Sequence, residues 1–315
     1  MTHKPLGTTG LQILPLVLGG NVFGWTADET TSHAILDAFV AGGGNCIDTA
    51  DVYSCWVPGH RGGESETVLG NWLQTRGRRD DVIIATKVGM ELDATHKGLE
   101  AGYILRAVED SLRRLRTDYI DIYYSHRDDA ALGVEEPLRA YEQLIRDGKV
   151  RVIGASNFSS SRLSEALGRS ASLGLPAYEV LQPHYNLLER ENFETELLPV
   201  CVTGGLGVLC YFALASGFLT GKYRSAADLG KSPRGQGAGK YLHERGLRVL
   251  AQLDVISAET AASPAQVALA WVAAKPGVTA PIASATTVAQ VEELLASTRI
   301  RLSRGQVAAL DAVSA

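Results

Sequence analysis

Val82-Ile83-Ile84-Ala85-Thr86-Lys87-Val88-Gly89 reads as a run of apolar and β-branched residues broken only by one lysine near its end. An apolar run of that length without polar alternation fits a parallel strand buried on both faces. Two other stretches have the same form: GNCIDTA (residues 44–50) carries Asp48, and YIDIYYSH (residues 119–126) ends in His126. Asp48, Lys87 and His126 are equally spaced along the chain. Repeated strand–helix units of similar length would bring all three strand ends to one rim.

Outward from these stretches the alternation continues. Strands are expected at Pro15–Gly19, Asn45–Asp48, Val82–Thr86, Ile120–Tyr124, Val150–Ala155, Tyr178–Leu181, Gly207–Tyr211 and Thr279–Ala283. Amphipathic helices are expected at Glu29–Ala41, Glu64–Arg76, Gly102–Arg116, Glu135–Arg146, Ser160–Ser170 and Gln290–Ser297, with Leu105, Val108, Leu112 and Leu115 at helical spacing. Ser263-Pro264 reads as an N-cap with proline at the first helical position, and Asp147-Gly148 as a helix stop. Strand–helix repeats of this number predict an α/β fold, a (β/α)8 TIM barrel, with a doubly wound open sheet as the alternative.

Two additions flank the repeats. KPLGTTGLQIL (residues 4–14) predicts an N-terminal β-hairpin covering the N-terminal mouth of the barrel, and Ser303–Val313 an extra C-terminal helix. No linker or shift of composition divides the chain, so residues 1–315 are expected to form a single domain. Arg224–Gly239, rich in Gly, Ser and basic residues including Lys231 and Arg234, reads either as a loop without fixed structure or as a clasp over the site.

Bulk properties narrow the function. A net charge of −5 without a basic or acidic tail argues against nucleic acid or a membrane surface as the main partner. The N-terminus lacks a charged start followed by a long apolar core, and the apolar run Val208–Leu219 is too short to span a bilayer, so a cytoplasmic location is expected. Four cysteines without a CxxC spacing (Cys46, Cys55, Cys201, Cys210) suit a reduced compartment, with Cys46 and Cys210 buried in strands. No HExxH or paired-cysteine signature is present, so no metal site is expected. Gly204-Gly205-Leu206-Gly207 precedes a strand instead of joining strand to helix, which disfavours a Rossmann site.

Asp48, Tyr53, Lys87 and His126 together form a proton-transfer set. A phenol with pKa about 10 is a weak proton donor at neutral pH, and a neighbouring ammonium is expected to make it more acidic. Lys87 supplies that charge, Asp48 holds the amine protonated, and His126 donates a hydrogen bond to a substrate oxygen. In order and context these four residues resemble the catalytic tetrad of the aldo-keto reductases, with closer likeness to the potassium-channel β-subunit branch than to aldose reductase. The resemblance implies reduction of an aldehyde or ketone by hydride from a nicotinamide, with Tyr53 delivering the proton.

The resemblance covers nearly the whole chain. It implies that Ser156 and Asn157, in GASNF, and Gln182, in VLQPHYN, hold the nicotinamide carboxamide, and that Tyr211 stacks on the ring. Phe212-Ala213 stands where the family commonly has Ser-Pro. Leu214, Gly217 and Lys222 correspond to the segment that meets the pyrophosphate, and Ser284, Thr286, Gln290 and Glu293 to the adenosine-binding segment. Many relatives have Arg where Thr286 stands, and that departure weakens the preference for NADP(H). NADP(H) remains the favoured cofactor, with NAD(H) the alternative. Phe23, Trp25 and Trp56 are candidates for the substrate pocket wall.

The expected function is an NAD(P)H-dependent oxidoreductase acting on a small carbonyl or alcohol. The alternative is a regulatory protein that binds the cofactor and senses redox state with little or no catalysis. No residue pattern sets the physiological substrate or an oligomeric state.

Overall fold

The computed structural model describes residues 2–233 and 235–315; Arg234 of the basic segment therefore lies outside the described residues. Two short antiparallel strands open the chain, β1 (Lys4–Pro5) and β2 (Gln12–Ile13). Eight more follow: β3 (Val17–Gly19), β4 (Cys46–Asp48), β5 (Ile83–Val88), β6 (Ile120–Ser125), β7 (Val150–Ser156), β8 (Val180–Gln182), β9 (Gly207–Cys210) and β10 (Ala280–Ala283). They pair in parallel, each with its neighbour in sequence, and β10 closes on β3. Helices surround the sheet, which makes the fold a (β/α)8 TIM barrel, as the alternation predicts.

The barrel is a packed core. Strand side chains alternate between its interior and the helix layer. Val17, Cys46, Ile83, Ala85, Ile122, Tyr124, Val152, Val180, Leu209, Ala280 and Ile282 form one interior cluster, joined by Leu6, Leu11 and Ile13 of the hairpin. The hairpin thus contributes three buried aliphatic side chains to the barrel interior. At its turn Gly7 has φ +53°, and a Cβ there would lie 2.2 Å from the backbone nitrogen of Gly207. Only glycine fits so close an approach. A second tight position is Gly154, where a Cβ would lie 2.4 Å from the Tyr124 ring that fills the interior.

Helix ends follow the local chemistry. Ser263 caps the helix Pro264–Ala274 in a capping box with Gln266, and Ser303 does the same for Arg304–Val313 with Gln306. Asp147 ends the helix Glu135–Arg146, and Gly148 follows at φ +73°. The sequence reading did not anticipate the long helix Glu244–Thr260, which packs against Arg304–Val313 and Pro264–Ala274. The described part of the Arg224–Gly239 segment carries short helical elements. It folds as a 3-10 turn, Ala226–Lys231, held by reciprocal Ser225–Asp228 hydrogen bonds, followed by the short helix Gly235–Ala238. Cys46 and Cys210 are fully buried in β4 and β9. Among the described residues no helix is long and apolar enough to cross a membrane, and no His/Cys/Asp/Glu cluster could hold a metal ion.

Candidate active site

The period of two that packs the barrel interior also sets the site. In each strand the residue two positions beyond an interior hydrophobe keeps the inward direction at the C-terminal rim. Cys46 is followed in this way by Asp48, Ala85 by Lys87, and Tyr124 by His126. Val180 is followed by Gln182, Leu209 by Tyr211, and Ile282 by Ser284. Register pairs Asp48 with Ala85, Lys87 with Tyr124 and Ser156 with Gln182, so these side chains stand around one ring.

At the centre Lys87 is fully buried and donates three hydrogen bonds. They reach Asp48 Oδ2 at 2.6 Å, the Thr49 carbonyl at 2.7 Å and the Tyr53 hydroxyl at 2.9 Å. Tyr53 in turn donates to Asp48 Oδ2 at 3.2 Å, and Gln182 Nε2 donates to Asp48 Oδ1 at 2.7 Å. The His126 ring lies 6.1 Å from the Tyr53 ring, and its Nδ1 is buried without a hydrogen-bond partner. Four residues from the ends of three strands therefore meet, three of them through one amine.

The electrostatics differ from the sequence expectation in one respect. Lys87 was expected to make the phenol more acidic. Burial, and then the Asp48 carboxylate, instead hold Tyr53 well above the ordinary tyrosine value. The same carboxylate that pairs with the amine sits against the phenol and opposes its ionisation. Burial also lowers the Lys87 amine, against the pull of Asp48. Burial, with Lys87 and Arg127, pushes His126 well below the usual histidine value, so its imidazole is neutral. The arrangement at neutral pH is a protonated phenol beside a neutral imidazole.

These groups form the floor of a cleft of about 1090 Å³. Asp48, Tyr53, His126, Ser156, Asn157, Gln182, Tyr211, Phe212, Leu214, Gly217, Lys222, Ser284, Thr286, Gln290 and Glu293 all line it, as do Trp25 and Trp56. Phe23 does not. It was expected on the pocket wall but is fully buried in the core outside the barrel, where its carbonyl accepts from Ser54 Oγ. Asn21, Met90 and Arg127 line the cleft and were not anticipated. For Arg127 the sequence did hold a signal, since it directly follows His126 at a strand end.

The donor set suits a long, polar, planar-headed cofactor. Tyr211 is clamped from two sides: its hydroxyl donates to Asn157 Oδ1 at 2.7 Å, and His184 stacks on it at 5.2 Å and 17°. One ring face is thereby covered by the protein, in a residue that lines the cleft. Ser156 Oγ donates to the Gln182 carbonyl at 2.9 Å, and Asn157 Nδ2 to the His126 carbonyl at 2.8 Å, which fixes both beside the tetrad. At the far end Gln290 Oε1 accepts from the Thr286 amide at 2.8 Å, ahead of the helix Val288–Ser297. The Lys222 amine, which lies along the cleft, makes no ion pair among the described residues. Ser54, Asn157, Phe212, Ala215 and Ser216 all hold positive φ without being glycine. Of these, Asn157, Phe212 and Ser216 line the cleft.

Comparison with known proteins agrees with this geometry. The profile of the Aldo/keto reductase family matches residues 15–315. A probable voltage-gated potassium channel subunit beta of Arabidopsis thaliana is 35% identical over 301 residues, covering 93% of this chain and 90% of the relative. The uncharacterized oxidoreductase YrpG of Bacillus subtilis is 35% identical over 312 residues, covering 96% and 93%. Norsolorinic acid reductase of Aspergillus flavus is 29% identical over 325 residues, covering 98% and 80%. With an eight-stranded parallel barrel, a lysine–aspartate–tyrosine cluster at its C-terminal rim and a match along nearly its whole length, the chain belongs to the aldo/keto reductase family.

Proposed function

We propose that the protein reduces an aldehyde or ketone to an alcohol, reversibly, with Tyr53 as general acid and base. The observation that carries this reading is the single amine of Lys87 bonded to both Asp48 and Tyr53 at the base of the cleft. A bound reduced nicotinamide would supply the hydride. Ser156, Asn157 and Gln182 would hold its carboxamide, and Tyr211 its ring face. Leu214, Gly217 and Lys222 would meet the pyrophosphate; Ser284, Thr286, Gln290 and Glu293 would meet the adenosine half. NADP(H) is favoured over NAD(H), with Lys222, which lines the cleft, as a source of positive charge.

The residues of the chain divide the remaining work. The neutral His126 donates a hydrogen bond to the carbonyl oxygen and orients it toward Tyr53. Tyr53 passes its proton to that oxygen as negative charge develops. Lys87, held by Asp48, stabilises the phenolate left behind. In the alcohol-oxidising direction the phenolate is the base.

Loss of reduced-nicotinamide absorbance against a panel of carbonyl compounds tests the reading. Turnover abolished by Tyr53→Phe supports it. The likeness to potassium channel β subunits favours a second reading, a cofactor-binding protein that reports redox state. Tight cofactor binding without turnover of any carbonyl would favour that alternative.

A further inference from the structure

Among the described residues Arg127 is a charge in the cleft, next to His126, that the fold leaves without an ion pair. It follows His126 beyond the end of β6, lines the cleft and is exposed. Among the described residues its guanidinium has no ion pair and no hydrogen bond. The acids that follow it are already committed. Asp128 pairs with Arg162 at 2.9 Å, and Asp129 accepts from the amides of Leu99 and Ala131. The other acids of the cleft are no better placed: Asp48 is neutralised by Lys87, and Glu293 accepts from Ser263 at the adenosine end. Arg127 also stands close enough to His126 and Tyr211 for its charge to act on both side chains.

The same cleft has an aromatic wall, which reaches His126, the neighbour of Arg127, through Tyr53. Trp25 and Trp56 meet edge to face at 5.6 Å, and Trp56 meets Tyr53 at 6.3 Å. Trp56 is 48% exposed, a large apolar surface left to water beside the reacting hydroxyl. A flat apolar body covers such a face favourably, while an unpaired guanidinium selects a planar anion by bidentate hydrogen bonds. We infer that Arg127 is a specificity residue that binds an anionic group, carboxylate by preference, on carbonyl substrates with a flat apolar body. The inference rests on the reductase reading above.

The test compares para-formylbenzoate with its uncharged methyl ester as substrates of the wild type, Arg127→Met and Arg127→Lys. The acid-to-ester ratio of kcat/KM should fall roughly tenfold or more in Arg127→Met, the scale of a charge-assisted hydrogen bond. The fall should come through KM, and Arg127→Lys should restore part of it. An unchanged ratio overturns the inference. So does weakened nicotinamide binding in Arg127→Met, which would assign the residue to the cofactor. If the wild type turns over neither compound, quenching of tryptophan fluorescence by para-formylbenzoate still tests the anion site, and the reductase reading itself fails only when no carbonyl of the wider panel is turned over. Binding weakened tenfold or more in Arg127→Met then supports the site, and equal binding overturns it.

Discussion

Replacing Lys87 by methionine keeps the length and apolar stem of the side chain and deletes its charge. Lys87 and Asp48 are both essentially inaccessible to solvent and lie 2.6 Å apart. At an effective dielectric of about 20 that separation corresponds to a gross attraction of about 6 kcal/mol. Desolvation of both ions offsets much of this, yet removing one partner of a buried pair typically costs about 3–5 kcal/mol, because the other is left uncompensated. Lys87→Met should therefore lower the thermal midpoint by about 6–10 °C, at roughly 2 °C per kcal/mol for a chain of this size. Adding Asp48→Asn should recover about 1 kcal/mol or more of that loss, since the stranded carboxylate is gone. Activity should not recover. Both variants should lose roughly a hundred- to ten-thousandfold in kcat/KM, the usual contribution of positioned acid–base groups. Denaturant unfolding and steady-state kinetics on the two variants and Asp48→Asn alone complete the cycle. A single variant within about 1 kcal/mol of wild type, or a double variant no more stable than Lys87→Met, would refute the coupling on which this reasoning depends.

The depressed pKa of His126 predicts a pH dependence of stability. A histidine whose folded value lies below its unfolded value contributes stability that is present above about pH 6.5 and is lost as pH falls below it, at up to about 1.4 kcal/mol per pH unit. Denaturant unfolding between about pH 7.5 and 5.5 should show that loss in the wild type, and His126→Gln should flatten it; parallel profiles would contradict a neutral, buried imidazole. Gly7→Ala should destabilise by several kcal/mol, because a Cβ there meets the backbone at Gly207 and φ is positive; an unchanged denaturation midpoint would show that the hairpin does not seat as described. Thr286→Arg places a guanidinium at a half-buried position beside Gln290 and should raise the NADPH-over-NADH ratio of kcat/KM about tenfold or more. No change in that ratio would place the adenosine phosphate elsewhere.

Much of this architecture was legible in the chain because one rule generates it twice. A period of two packs the barrel interior and carries the rim side chains inward, so apolar runs ending in Asp48, Lys87 and His126 announce both the parallel strands and the residues that converge. Cap chemistry was local too: the Ser263 and Ser303 hydroxyls cap the first turns of their helices, and Gly148, free to take a positive φ, follows the end of Glu135–Arg146. Other features depended on distances between remote segments. Phe23 has the composition of a pocket wall, but the packing of the first loop turns it into the core. The acidity of Tyr53 was misjudged because a motif names the amine and the carboxylate without saying how close each comes to the phenol. Asp48 at 3.2 Å and loss of water outweigh the lysine. Likewise the sequence marks Arg127 only by its place after His126. It becomes an unanswered charge only because folding commits Asp128 and Asp129 to other partners. Periodicity and capping act over a few residues and can be read along a chain; burial and charge balance are sums over neighbours that only the folded arrangement brings together.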